Sequence, residues 1–191
     1  ALPISEPGYD FIVQGIGGLM SITGERDDLP GGGPQKVGVA FSDLMTGLYS
    51  TVAIQAALLS REKTGLGQHI DMALLDVQVA TLCNQSQNYL ASGKAPGRYG
   101  NAHANIVPYQ VFRASDQDFI IACGNDSQFV ALCEAIGLAH LPEDPRFTRN
   151  AERVANREAI IEILSAHFLQ GRAEEWIGRV HPRGVPIGAI N

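Results

Sequence analysis

Asp71 is the first candidate for chemistry in this sequence, because it is an acidic residue on a predicted strand just before a helix. In residues 69–74, apolar and polar side chains alternate, which predicts a strand with one apolar face and one polar face that carries Asp71. Ligands of α/β folds usually bind at the carboxyl ends of strands. The pattern leaves two interpretations open, a site residue or an ordinary solvated carboxylate, and by itself it favours the second.

Asp76 is not an automatic partner for Asp71. The two residues would lie on opposite faces of a strand, or about 140° apart around a helix. Paired-carboxylate chemistry would therefore require the tertiary structure to bring them together.

The other reactive side chains show no spacing that is typical of a metal site or a hydrolase. The histidines form no HxH or HExxH pattern and no cluster with cysteine, so isolated histidines are favoured over metal ligands. No GxSxG motif is present, and no cysteine lies among basic residues that would activate its thiol. We therefore predict neither a bound metal nor a nucleophilic serine or cysteine.

The composition is that of a globular chain without a strongly charged field. The 191 residues are 45% apolar and 18% charged with a formal net charge of -6, so neither nucleic acid nor a membrane is an expected partner. Three widely spaced cysteines predict no disulfide framework and favour a reducing cytoplasm. Residues 1–8 are irregular and lack the features of a signal peptide, and both ends suggest a piece of a longer chain.

One long helix in the first half should support the candidate strand. Ser42 is a good N-cap, and residues 43–64 form a helical pattern that ends at Gly65. Apolar residues on every face predict that this helix is buried nearly all round, which is favoured over a membrane span. A shorter helix is predicted within residues 9–23, and another from about residue 75 to Gly93.

The second half has the pattern of a small α+β unit. Two apolar segments, residues 109–112 and 119–123, flank a polar turn and predict a hairpin. Helices are predicted after the caps Asp126 and Asn156, and a shorter one over residues 173–180. The apolar stripe of the helix after Asn156 should pack against the hairpin sheet.

A series of short blocks resembles the class III CoA-transferases, the superfamily of formyl-CoA and carnitine CoA-transferases and 2-methylacyl-CoA racemases. Each block alone is weak, but the blocks follow the family's order and cover nearly the whole chain. They are GYDF (8–11), GLMSITG (18–24), VGVA (37–40), DLMTG (43–47), KTGLGQHIDMALLD (63–76), VPYQVF (107–112), GNDSQF (124–129), DPRF (144–147) and GVPIG (184–188).

The resemblance implies an α/β fold, with part of a large Rossmann-like domain in residues 1–106 and a small α+β domain in residues 107–191. Family members are longer, so this chain is expected to be a central piece of one. Its parent is expected to form an interlocked homodimer. Most CoA contacts would lie outside this sequence, so the CoA-binding residues here are unknown, and the chain alone is expected to be inactive and to expose apolar surface.

The resemblance also implies the reaction and its residues. The family's catalytic carboxylate matches Asp71, which reverses the first interpretation of that residue. This aspartate would take CoA from an acyl-CoA thioester and pass it to a small carboxylic or dicarboxylic acid through an aspartyl-CoA thioester. CoA would be a substrate, with no permanently bound cofactor. Tyr9 and Asp10 match a substrate-contacting position, and His103 and Asn105 lie in the loop that corresponds to the family's active-site glycine loop.

Two alternatives stay open at this stage. The first is an acyl-CoA racemase or epimerase of the same superfamily, but those enzymes have a histidine base where this chain has Tyr9, so transfer is favoured. The second is a piece without catalytic activity that only scaffolds or dimerises.

Overall fold

The computed structural model describes residues 8–191. Residues 1–7 of the N-terminal segment that is predicted to be irregular and not a signal peptide lie outside the described residues. The chain divides into two compact units, residues 1–100 and 101–191. Helices predominate, and a three-stranded sheet accompanies them, which confirms the mixed α/β class. The boundary expected between residues 106 and 107 stays a prediction for the full-length protein.

The first unit is helical throughout its regular secondary structure in residues 8–100. Its helices are α1 (Asp10–Ile16), α2 (Leu19–Ile22), α3 (Phe41–Thr64), α4 (Leu74–Ala80) and α5 (Cys83–Ser92). Helix α4 packs against α1 and α3. The core of this unit is small, and half of its buried side chains are polar: Val13, Leu19 and Val77 accompany Gln14, Ser42 and Gln78.

The long helix α3 ends where the sequence predicts but starts earlier. Gly65 adopts a left-handed conformation with φ 74°, which a glycine accepts without steric cost, and its N–H bonds to the carbonyl of Arg61. At the other end the predicted N-cap Ser42 is wrong, because the helix begins at Phe41 and Ser42 lies in its first turn. The backbone N–H of Ser42 is capped instead by the distant carboxylate of Asp10.

The predicted burial of α3 is also wrong for these residues. Only Ser42 of the whole helix is buried. Apolar side chains on several faces are exposed: Leu44, Leu48, Tyr49, Val52, Ile54, Leu58 and Leu59. Contacts with α1 and α4 cover only part of the helix, so the apolar residues that predicted a core helix have too few partners among residues 8–100.

Residues 69–74 do not form the predicted strand. The backbone is extended at Ala73, but these residues have no ladder partner among the described residues, and α4 begins at Leu74. A strand is assigned by its hydrogen bonds to a neighbour, so alternation without a neighbour leaves only an extended segment. The helix predicted up to Gly93 does end there, but it is broken in two before Cys83, which has a positive φ of 49°.

The second unit contains a small antiparallel sheet covered by helices. Strands β1 (Tyr109–Arg113) and β2 (Asp118–Ala122) form the predicted hairpin, with Arg113 opposite Asp118, and β3 (Ile187–Ala189) pairs with the other edge of β2. The strand β3 was not predicted, because it has only three residues and contains Gly188. The helices are α6 (Asp126–Ile136), α7 (Asn150–Ala155), α8 (Arg157–Phe168) and α9 (Ala173–Val180).

Helix α8 packs against the sheet as predicted. Its Ile160, Leu164 and Phe168 are fully buried, and the Phe168 ring meets Phe112 and Phe119 at centroid distances of 5.1 and 5.2 Å. Such edge-to-face aromatic pairs add to the stability gained by burial. This aromatic cluster is the centre of a continuous core.

Two predicted caps of the second unit differ in detail. Helix α6 is capped by Asn125, whose Oδ1 accepts the N–H of Gln128 at 2.9 Å, and not by Asp126, which lies in its first turn. Asn156 does precede α8, but its side chain donates to the carbonyl of Glu152 instead of capping the helix.

Candidate functional site

Asp71 lies on the exposed extended segment between α3 and α4. Its carboxylate makes no hydrogen bond or ion pair with any of residues 8–191. A carboxylate without such partners can accept a proton, accept a hydrogen bond from a ligand or attack an electrophilic carbonyl.

The residues just before Asp71 line a groove beside the second half of α3. Its volume is about 220 Å³, and its wall is mainly apolar with one guanidinium, that of Arg61. The lining residues are Ile54, Ala57, Leu58, Arg61, Gly67, Gln68 and Ile70. Ile70 therefore lines this groove together with residues of α3, whereas its neighbour Asp71 is exposed and does not line the groove.

Asp76 is exposed and lies in the first turn of α4. A carboxylate in the first turn of a helix stabilises it through the helix dipole. Asp76 is therefore exposed like Asp71 but belongs to a helix, which makes it a suitable reference for Asp71.

Tyr9 and Asp10 lie at the start of α1, and their side chains differ in exposure and in hydrogen bonding. Tyr9 is 72% exposed, so its ring can contact a ligand. Asp10 uses both carboxylate oxygens within the unit. Oδ1 accepts the N–H of Ser42 and Oδ2 accepts the amide of Gln14, both at 2.7 Å. Through these bonds Asp10 joins α1 to the start of α3, and its role as a substrate contact stays a prediction.

Buried Gln14 extends the network of Asp10. Its Oε1 accepts the N–H of Val37 at 2.9 Å, so one side chain holds both the carboxylate of Asp10 and the chain that leads into α3. A buried amide that satisfies groups on two segments fixes their relative positions.

His103 and Asn105 belong to the second unit and contact each other. Nδ1 of His103 accepts the N–H of Asn105 at 3.0 Å, and the imidazole packs 5.2 Å from the Tyr109 ring. Partial burial and then the nearby Arg157 guanidinium lower the pKa of His103, because both disfavour its cationic form. A neutral imidazole with its proton on Nε2 fits the bond at Nδ1.

The predicted residues thus fall into two groups. Tyr9, Asp10 and Asp71 belong to the first unit, whereas His103 and Asn105 belong to the second. No hydrogen bond joins Tyr9 or Asp10 to Asp71 within the described residues. The sequence reasoning missed Asn150, Arg153 and Arg157, which bind the backbone of the loop that carries His103.

Residues 8–191 contain no group of three or more histidine, cysteine or acidic side chains placed to hold a metal ion. None of their helices combines the length and the apolar character that crossing a membrane requires.

Comparisons with known proteins agree on one family. A succinate–glutarate CoA-transferase of Agrobacterium fabrum is 49% identical over 184 residues, which are 96% of this chain and 45% of that protein. An acetyl-CoA:oxalate CoA-transferase of Acetobacter aceti is 42% identical over 185 residues, 96% of this chain and 46% of its own length. The chain spans about half the length of the curated relatives that it matches.

A solved structure shows the same fold. The crystal structure of a CAIB/BAIF family protein from Brucella suis superposes with a TM-score of 0.75 at 52% identity, covering 97% of this chain and 48% of that one. The sequence model of CoA-transferase family III matches residues 4–191. A match over nearly the whole chain, with relatives and a structure that agree, shows that this chain belongs to CoA-transferase family III.

Proposed function

We propose that the full-length protein moves CoA between an acyl-CoA thioester and a small dicarboxylic acid, with Asp71 as its nucleophile. The observation that carries the proposal is the contrast between two carboxylates. Both oxygens of Asp10 are bonded within the unit, whereas the carboxylate of Asp71 is exposed and bonded to none of the described residues. Only a carboxylate with an available oxygen can attack a thioester.

The chemistry proceeds by exchanges at acyl carbons. A carboxylate oxygen of Asp71 attacks the thioester carbonyl, the C–S bond breaks, and CoA leaves as a thiolate, so that a mixed anhydride between the acyl group and Asp71 is formed. The thiolate attacks the aspartyl carbonyl, which releases the first acid and leaves an aspartyl-CoA thioester. The acceptor acid then repeats these steps in reverse and regenerates the carboxylate. No proton, oxidant or metal enters the balance, so the covalent path divides one difficult exchange into easier steps.

The class of acid is inferred from relatives. The similar proteins are named for succinate, glutarate and oxalate, which are all short dicarboxylates. We assign Tyr9, His103 and Asn105 as contacts for the substrates. Transfer is favoured over racemisation because a phenol replaces the histidine that the racemases use as a base.

We further propose a cytoplasmic homodimer for the full-length protein. The three unpaired cysteines suit a reducing compartment. The exposed apolar faces of α3 are suited to burial against a further part of the protein or a second subunit. For the same reason we expect the 191-residue chain alone to show little or no transfer, and robust turnover by the purified chain in a CoA-exchange assay would contradict this.

The test of Asp71 uses the full-length protein. Asp71→Asn keeps the size of the side chain but removes the nucleophile, so we expect acyl-CoA to bind while exchange falls about 10³-fold or more. Asp76→Asn is the matched control and should retain most activity. After incubation with acyl-CoA, mass spectrometry should find a hydroxylamine-sensitive adduct on Asp71 in the wild type and none in Asp71→Asn.

Two results would reject the assignment. Near-normal exchange by Asp71→Asn would exclude Asp71 as the nucleophile. An adduct on Asp76 or Asp10 would move the nucleophile to that residue, even if the transfer reaction itself were observed.

A further inference from the structure

The loop that carries His103 and Asn105 has no regular secondary structure over residues 101–107. Its backbone groups therefore do not form the repeating bonds that hold a helix or a sheet in place. A loop of this kind keeps one conformation only if other groups satisfy and hold its backbone.

Side chains from α7 and α8 supply those bonds. Nη2 of Arg157 donates to the carbonyls of His103 and Ala104 at 2.9 and 2.7 Å. Asn150 binds the next part of the loop from both ends of its amide. Its Nδ2 donates to the carbonyl of Asn105 at 2.8 Å, and its Oδ1 accepts the N–H of Val107 at 3.1 Å.

A third side chain completes the set. Nε of Arg153 donates to the carbonyl of Val107 at 2.7 Å. Arg153 is fully buried, stacks on Phe129 at 4.3 Å and pairs with Asp126, so it is also part of the core of the unit. Its replacement would disturb much more than the loop, which leaves Arg157 and Asn150 as the residues whose effect can be isolated.

We propose that Arg157 and Asn150 are positioning residues, which hold the backbone of residues 103–107 so that His103 and Asn105 recognise the acceptor acid. The inference rests on the proposed function, because it takes those two residues as substrate contacts. It goes further because recognition of the acid by His103 and Asn105 would also depend on two side chains that are not themselves substrate contacts. The acyl-CoA donor should depend much less on them.

The geometry of these bonds favours an arginine over a lysine at position 157. A planar guanidinium directs N–H groups at fixed angles and can bind two successive carbonyls at once, whereas a lysine ammonium lacks this preset arrangement. Arg157→Lys keeps the positive charge and should still lose part of the effect. Arg157→Met keeps the length of the side chain and should lose all of it.

The first measurement is independent of activity. In the full-length protein, amide hydrogen exchange of peptides covering residues 101–108 should become faster in Arg157→Met and Asn150→Ala. It should stay unchanged in Arg149→Met, which removes an exposed arginine next to α7 that has no bond to the loop. Unchanged loop exchange in Arg157→Met, with thermal unfolding near that of the wild type, would overturn the proposal.

The second measurement separates the two halves of the reaction. In Arg157→Met we expect the KM of the acceptor acid to rise about tenfold or more. The rate of adduct formation on Asp71 from acyl-CoA alone should stay within about twofold of the wild type. The acceptor KM of Arg157→Lys should lie between those of the wild type and Arg157→Met. Arg149→Met should have the acceptor KM of the wild type.

The outcomes distinguish the two proposals. An acceptor KM within twofold of the wild type, or an equal loss in both half-reactions, would overturn the positioning role. If the wild type itself formed no adduct and transferred no CoA, the proposed function would fail and acid recognition with it. Loop exchange would then still decide whether Arg157 holds residues 103–107.

Discussion

The two units of this chain bury apolar surface to very different extents. In the second unit one continuous core joins the sheet to its helices around Phe112, Phe119 and Phe168. In the first unit, α3 is long and apolar, but Leu48 and Val52 are 62% and 65% exposed. A helix gains most of its stability in a protein from packing of its apolar face. The second unit therefore buries its apolar side chains among its own residues, whereas the first leaves much of the apolar surface of α3 uncovered within the described residues.

The largest expected difference is in thiol reactivity. Burial raises the pKa of Cys123 and of Cys133 to about 12 each, so at pH 8 about one molecule in 10⁴ carries the reactive thiolate at either site. Cys83 in the first unit is exposed. A disulfide reagent should therefore modify Cys83 rapidly, and the other two at rates lower by about 10³-fold or more until denaturant is added.

Replacing each cysteine by serine in turn assigns the fast phase. We expect Cys83→Ser to remove the fast phase, which would assign rapid modification to the exposed cysteine of the first unit. Rapid reaction of Cys123 or Cys133 in the absence of denaturant would show that the core of the second unit opens easily.

The next difference is in the free energy of unfolding. Phe119→Ala removes a fully buried ring from the aromatic cluster and should lower that free energy by about 3 to 5 kcal/mol. Leu48→Ala removes an exposed side chain and should change it by less than about 0.5 kcal/mol. Trp176, the single tryptophan, lies in the second core and reports its unfolding by fluorescence, while circular dichroism reports both units.

Comparing Leu48→Ala with Phe119→Ala tests whether α3 is covered in solution. If Leu48→Ala cost as much as Phe119→Ala, Leu48 would be buried in solution by a contact that this structure does not contain.

The smallest expected effect is on association. The exposed apolar faces of α3 should make the 191-residue chain associate, so its average mass by light scattering should rise with concentration. Leu48→Lys places a charge on that surface and should reduce association. Val130→Lys adds the same charge at an exposed position of α6 and serves as the control. A monodisperse monomer at every concentration would contradict this prediction.

Local patterns predicted the hairpin and the helices of the second unit well because each of these elements is recorded in a short stretch of sequence. The hairpin requires only two apolar segments and a polar turn, and α8 presents a regular apolar stripe beside it. The same reasoning failed where a partner is distant or not among the described residues. The segment predicted as a strand, residues 69–74, has no neighbour to pair with among residues 8–191, and the cap of α3 comes from Asp10, 32 residues earlier than Ser42.

The candidate site shows the same difference between features set by local sequence and features set by distant contacts. The sequence by itself determined the family, the chemical type of the candidate nucleophile at Asp71 and the ends of α3 and α5 at glycines, because motifs and caps depend on short stretches of chain. Only the tertiary structure decided that Asp10 is committed to two hydrogen bonds while Asp71 is not. It alone revealed that Arg157 and Asn150 hold the loop of His103, because those bonds join residues about fifty positions apart, and no local pattern records such a contact.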